Sequence, residues 1–82
     1  MTQLQELRAV ATRWRAANQD HVGGIVMVCD GRVYGWKNEL RDPESERPGV
    51  YAVDSSGVVF RAVGGDEYNG AEAWIAVDPD GQ

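Results

Sequence analysis

Ile25-Val26-Met27-Val28-Cys29-Asp30-Gly31-Arg32-Val33-Tyr34-Gly35-Trp36 is the stretch on which the fold turns. Two runs rich in β-branched and aromatic residues are separated by Asp30-Gly31, a pair that favours the tight type I′ reversal of a β-hairpin. Upstream, Leu4, Leu7, Ala11 and Trp14 recur at helical spacing, with Val10 and Ala17 flanking the same stripe. That pattern predicts a helix over 2–18, with Thr2 and Gln5 as a capping pair and Asn18, Asp20 and Gly23-Gly24 as its end. The arginines and Glu6 fall mostly outside the stripe. Downstream, residues 37–49 are polar, contain Pro43, Pro48 and Gly49, and read as a long loop. Val50 to Val53 and Val58 to Val63 flank Asp54-Ser55-Ser56-Gly57, a second hairpin spanning 50–63. Gly64 to Ala71 is another polar loop, a last strand runs over 73–77, and 78–82 is a tail. The expectation is one α+β domain, an N-terminal helix packed on a small antiparallel sheet of about five strands, with one face of the sheet against the helix.

Size and charge narrow the classes. A chain of 82 residues buries roughly 60–65% of its unfolded surface, enough for a single core. The longest apolar stretch, Ile25 to Cys29, is too short to span a bilayer. The first residues lack a basic segment followed by an apolar one, so no signal peptide is read. A lone Cys29 cannot form an internal disulfide and suits a reducing compartment, so a cytoplasmic location is expected. The net charge of −5 is unevenly spread. Residues 1–15 carry Arg8, Arg13 and Arg15 against Glu6 alone. Residues 62–82 carry Asp66, Glu67, Glu72, Asp78 and Asp80 with no Lys or Arg. An acidic end disfavours direct contact with phosphates and suits either a basic partner surface or plain solubility.

Catalytic chemistry finds little purchase. His21 and Cys29 are the chain's one histidine and one cysteine, and nothing in their spacing pairs them. A zinc site needs about four N or S ligands, and this chain has two candidates. Asp78-Pro79-Asp80-Gly81 resembles the start of a calcium loop but lacks the later glutamate. Gly64-Gly65-Asp66 is followed by neither a helix nor Lys-Ser/Thr, which a phosphate cradle needs. Paired carboxylates do acid–base work only where a pocket desolvates one of them, and so small a core offers no evident pocket. No catalytic residue, cofactor or metal is assigned.

Two loops, 36–49 and 64–72, hold the residues left over. Loops this long in a compact domain are often functional, although their mixed charges also suit local salt bridging. Alternation along β-type chain puts Tyr34 and Trp36 on one face together, either as core or as a binding rim beside Arg41. Trp14, Phe60 and Trp74 are expected to be core. The partner-binding candidates are Trp36, Glu39, Arg41 and Asp42 in the first loop, and Asp66, Glu67, Tyr68 and Glu72 in the second. As loop residues, Asp66, Glu67 and Glu72 are expected to tolerate reversal to lysine with the fold intact.

Trp14-Arg15 with Ala17-Asn18, then Gly35-Trp36-x-Asn38-x-Leu40-Arg41-Asp42, Arg47-Pro48-Gly49 with Ala52-Val53-Asp54, and Gly64-Gly65-Asp66-x-Tyr68-Asn69-Gly70-Ala71 with Trp74 together cover most of the chain. This set resembles small antirestriction proteins of the ArdR type, found on bacterial plasmids and integrative elements. The resemblance implies a mobile-element protein acting on a host defence protein or nuclease complex, a restriction enzyme or an RNA-guided nuclease. It supplies no catalytic residues. Such an inhibitor works by partial DNA mimicry or by steric block, without binding nucleic acid or membrane. The alternative is a regulatory or structural interaction module with no anti-defence activity. It would bind a partner or form a homodimer through an unpaired sheet edge or the Tyr34/Trp36 surface. A small enzyme or ligand-binding domain is a third class, which a deep pocket with a perturbed carboxylate would support.

Overall fold

The computed structural model of the protein describes residues 3–77; the Thr2 cap and the tail 78–82 lie outside the described residues. The elements are α1 (Gln3–Ala17), β1 (Ile25–Cys29), β2 (Arg32–Lys37), a 3-10 turn (Pro43–Ser45), β3 (Tyr51–Asp54), β4 (Val59–Val63) and β5 (Ala73–Ala76). The five strands form one antiparallel sheet in the order β2-β1-β3-β4-β5. An α+β fold with an N-terminal helix on a five-stranded antiparallel sheet is the architecture. Asp30 (φ 53°) and Gly31 (φ 77°) both take the left-handed conformation that a type I′ turn requires. At the second hairpin the Asp54 carboxylate accepts the N–H groups of Ser56 and Val58, each at 2.9 Å. That contact closes the turn locally.

α1 lies across β1 to β4. Leu7 and Ala11 of its stripe meet Val26, Val28, Val53 and Val59, and Trp14, Leu4 and Val10 close the margin. The most deeply buried large side chains are aliphatic: Met27, Val26, Val28, Val53 and Val59. Trp14, Phe60 and Trp74 are half-buried at the margins of the core. Arg8 and Arg15 do more than face solvent. They sit one helical turn beyond Leu4 and Ala11, on the edge of the apolar stripe. The Arg8 Nε–H donates to the Gly57 carbonyl at 2.7 Å. The Arg15 guanidinium donates to the carbonyls of Gly23, Gly24 (3.0 Å) and Val53 (3.3 Å). The helix thereby reaches turn carbonyls at the sheet's end, Gly23, Gly24 and Gly57, and the charged donors tie it to the sheet.

The far side of the sheet is covered as well. Ile25, Met27 and Ala52 are buried there beneath Leu40, Phe60 and Trp74, and Val50, Ala62 and Ala71 form a second buried group beside them. The cover is the pair of polar loops. Their backbones dock on each other: the Ala71 N–H donates to the carbonyls of Glu46 (2.9 Å) and Pro43 (3.2 Å). Gly70 (φ 80°) passes so close to Glu44 that an added Cβ would collide with the Glu44 carbonyl.

Tyr34 and Trp36 do not share a face. Val28 pairs with Val33 while Met27 pairs with Gly35, so Tyr34 is the extra residue of a β-bulge. Val33 and Trp36 turn to the helix side. Tyr34 reaches the opposite side, where its hydroxyl donates to Glu46 Oε1 at 2.6 Å. Strict alternation fails because one residue has been added to the period.

Candidate binding surface

Three places receive the eight residues expected to bind a partner. Trp36 packs into the helix-side cluster, donates its indole N–H to the Gly23 carbonyl at 3.0 Å, and sits edge-on to His21 at 5.0 Å. It is a structural residue there, across the sheet from the loops. Glu39, Arg41 and Asp42 lie exposed on the loop that covers the far side. Arg41 pairs with its neighbour Asp42 at 3.2 Å, and its carbonyl accepts the Trp74 indole N–H at 3.2 Å. Asp66, Glu67, Tyr68 and Glu72 occupy the second loop, beside the first.

The second loop is a knob with a fixed stem. The Asp66 carboxylate accepts the N–H groups of Tyr68 (2.9 Å) and Asn69 (2.7 Å), and its other oxygen accepts the Asn69 side-chain amide at 3.2 Å. Those bonds, led by the one from the Asn69 backbone, hold the Asp66 carboxyl below the usual carboxylate range. The Asp66 and Gly70 backbones bond each other in both directions, at 3.2 and 2.9 Å. Glu72 Oε1 accepts the Gly65 N–H at 3.1 Å. Asp66 and Glu72 are therefore engaged within the knob, and reversing them to lysine would cost the loop its shape, contrary to the expectation from sequence. The side chains of Glu67 and Tyr68 take no part in those bonds, although the Glu67 charge acts on the Arg47 guanidinium. Tyr68 is 99% exposed, at the tip.

Glu67 also stands on the rim of a groove of about 630 Å³ between α1 and the turn joining β1 to β2. Its floor is apolar, with Leu7, Val10, Pro48, Val50 and Tyr51, while Glu6, Arg13, Asp30 and Arg47 line its rim. Cys29 faces the groove with its thiol sulfur accepting a hydrogen bond from Arg47 at 3.1 Å. The groove is a correction too, because so small a core gave no sign of a pocket. It arises where β3 crosses to pair with β1, bringing 47–51 beside 29–31. No local motif encodes that adjacency. Its rim holds carboxylates of both the helix and the knob.

A second polar group ties the first loop down. Glu46 accepts from the Tyr34 hydroxyl, and Lys37 Nζ lies 2.9 Å from its other oxygen. Burial pushes the Glu46 carboxyl up, and the bonds from Tyr34 and Lys37 outweigh it, leaving the group below the ordinary glutamate value. Burial and the Glu46 carboxylate together push the Tyr34 phenol well above its usual range. His21 lies between Trp14 and Trp36, whereas Cys29 meets Arg47, so the two do not form a pair. Among the described residues no group of three or more His, Cys, Asp or Glu is placed to hold a metal ion. Nor is any described helix long and apolar enough to cross a membrane. Comparisons with protein-family models, with curated proteins and with solved structures give no match for this chain.

Proposed function

We propose that this is a non-enzymatic, cytoplasmic anti-defence protein that inhibits a host nuclease complex, a restriction enzyme or an RNA-guided nuclease, by direct contact through the 64–72 knob. The observation that carries the reading is Tyr68, wholly exposed on a loop whose backbone is already fixed by Asp66. An exposed aromatic on a rigid support is the economical way to anchor a partner. It offers a large contact area and little ordering entropy is lost on binding. Glu67 beside it adds charge suited to a basic surface, and the net charge of −5 favours approach to such a surface. With Asp66 and Glu72 committed to the loop, a steric block anchored by Tyr68 fits better than imitation of a duplex, which presents about one charge per 1.7 Å.

The test is an in-cell restriction assay with a matched melting curve. Tyr68→Ala and Glu67→Lys are expected to keep the wild-type Tm, and Tyr68→Ala to weaken inhibition roughly thirtyfold or more, as a binding hot spot does. Asp66→Ala is expected to lower both. Full inhibition by Tyr68→Ala would remove the knob from the interface. A partner captured through Tyr68 with no nuclease affected would favour the regulatory-module reading instead.

A further inference from the structure

The two edges of the sheet are unlike. β2 is blunted by the bulge at Tyr34 and bracketed by Arg32 and Lys37, devices that discourage a further strand. β5 reads Ala73-Trp74-Ile75-Ala76, with no charge, proline or bulge, and among the described residues it pairs only with β4. Ile75 is 48% exposed.

The direction of the free backbone groups follows from the ladder. The Val77 N–H donates to the Val59 carbonyl at 2.8 Å, and the register pairs Arg61 with Ile75 and Val63 with Ala73. Ala62 is bonded the other way, to Gly49 and Val50 on the β3 side. Alternation then turns the N–H and C=O of Ala73 and Ile75 toward β4, and those of Trp74 and Ala76 toward the open edge.

From this we infer that β5 is a self-association edge, pairing antiparallel with β5 of a second copy about a two-fold axis through Ile75. In that register Trp74 of one copy exchanges both hydrogen bonds with Ala76 of the other, twice over, so every outward group of the strand is satisfied. Side chains also match: Ile75 meets Ile75, Ala73 meets Val77, and the bulk of Trp74 lies beside the small Ala76. Centring the axis on Trp74 would instead oppose two indoles and leave the Ala76 groups facing Glu72. α1 lies over β1 to β4, and the far-side loops cover Trp74 from one face. Four residues a side make a small contact, so the dimer is weak and concentration-dependent.

Sedimentation of the full chain across a wide concentration range tests this. The wild type is expected to pass from monomer to dimer, while Ile75→Lys and Ala76→Pro stay monomeric with Tm close to wild type. The Ala76 N–H makes no bond to β4, so proline costs the ladder nothing there. Facing Ile75 residues in a non-hydrogen-bonded pair would lie about 4.5 Å apart at Cα, within disulfide reach. Cys29→Ser/Ile75→Cys should therefore cross-link on mild oxidation, and Cys29→Ser/Ala73→Cys should not. A monomer at every concentration, a dimer that survives both edge variants, or equal cross-linking at both positions would overturn the inference.

Discussion

Gly70 shows how much can depend on a missing side chain. It sits at φ 80° with the Glu44 carbonyl where a Cβ would be. Gly70→Ala therefore combines left-handed strain of about 1–2 kcal/mol with displacement of one loop from the other. Each kcal/mol lost lowers Tm by roughly 4–8 °C in a domain this size. Differential scanning calorimetry is expected to show a fall of at least that much for Gly70→Ala. Gly31→Ala makes a useful control, since its Cβ would meet nothing within 4 Å and only the turn strain is added. An equal fall in the two would mean the loops do not press together at Gly70. From the sequence, both glycines read merely as turn residues. What separates them is a neighbour 26 positions away in the chain, which local pattern does not carry.

Among the elements, β2 and the first loop are joined by Tyr34, Lys37 and Glu46. Glu46 is held below its ordinary value, so its share of stability is present above about pH 4.3, the unfolded glutamate value, and is lost as pH falls through the lower folded value. Tyr34 is shifted upward, so its share is complete below about pH 10 and declines as pH rises above it. Tyr34→Phe is expected to lower stability near neutrality by roughly 0.5–1.5 kcal/mol, the range for one hydrogen bond at a half-exposed site. Melting curves recorded against pH should then lose their alkaline decline in Tyr34→Phe, and much of their acid decline in Glu46→Gln. Unchanged pH profiles in both would mean that this contact is not formed in solution. The helix, both hairpins and the last strand were legible within a residue or two, because period and turn chemistry are local. The bulge was not: Val33-Tyr34-Gly35-Trp36 alternates well enough on its own, and only its pairing with Met27 and Val28 reveals the extra residue. Of the candidate residues, the exposed loop position of Tyr68 and Glu67 was legible, but not that Asp66 and Glu72 spend their charge inside the loop or that Trp36 belongs to the helix side.

For the molecule as a whole, α1 covers one face of the sheet and irregular chain covers the other. Loops with few buried contacts ordinarily open well below the global unfolding free energy. Here the amides of Gly70 and Ala71 bond to Asp66, Pro43 and Glu46 over a buried Ala71. Their hydrogen exchange is expected to be as slow as that of Val26 and Val28 in β1. Exchange at the rate of an exposed loop would show that the far side is covered only part of the time. Tyr68 can be a rigid tip only if its stem belongs to the core, so the same measurement bears on the knob.

That far-side cover also changes where the chain can vary in length over generations. Insertions and deletions usually accumulate in the longest connections, which touch least. In this molecule the two longest strand connections, 38–50 and 64–72, are tied to each other through Glu44, Gly70 and Ala71. One residue gained or lost in either would slide Glu44 away from Gly70 and unroof Met27. Drift in length is left to the exposed tips of the two hairpins, Asp30-Gly31 and Ser55-Ser56, and a tag or reporter grafted into this protein belongs there for the same reason.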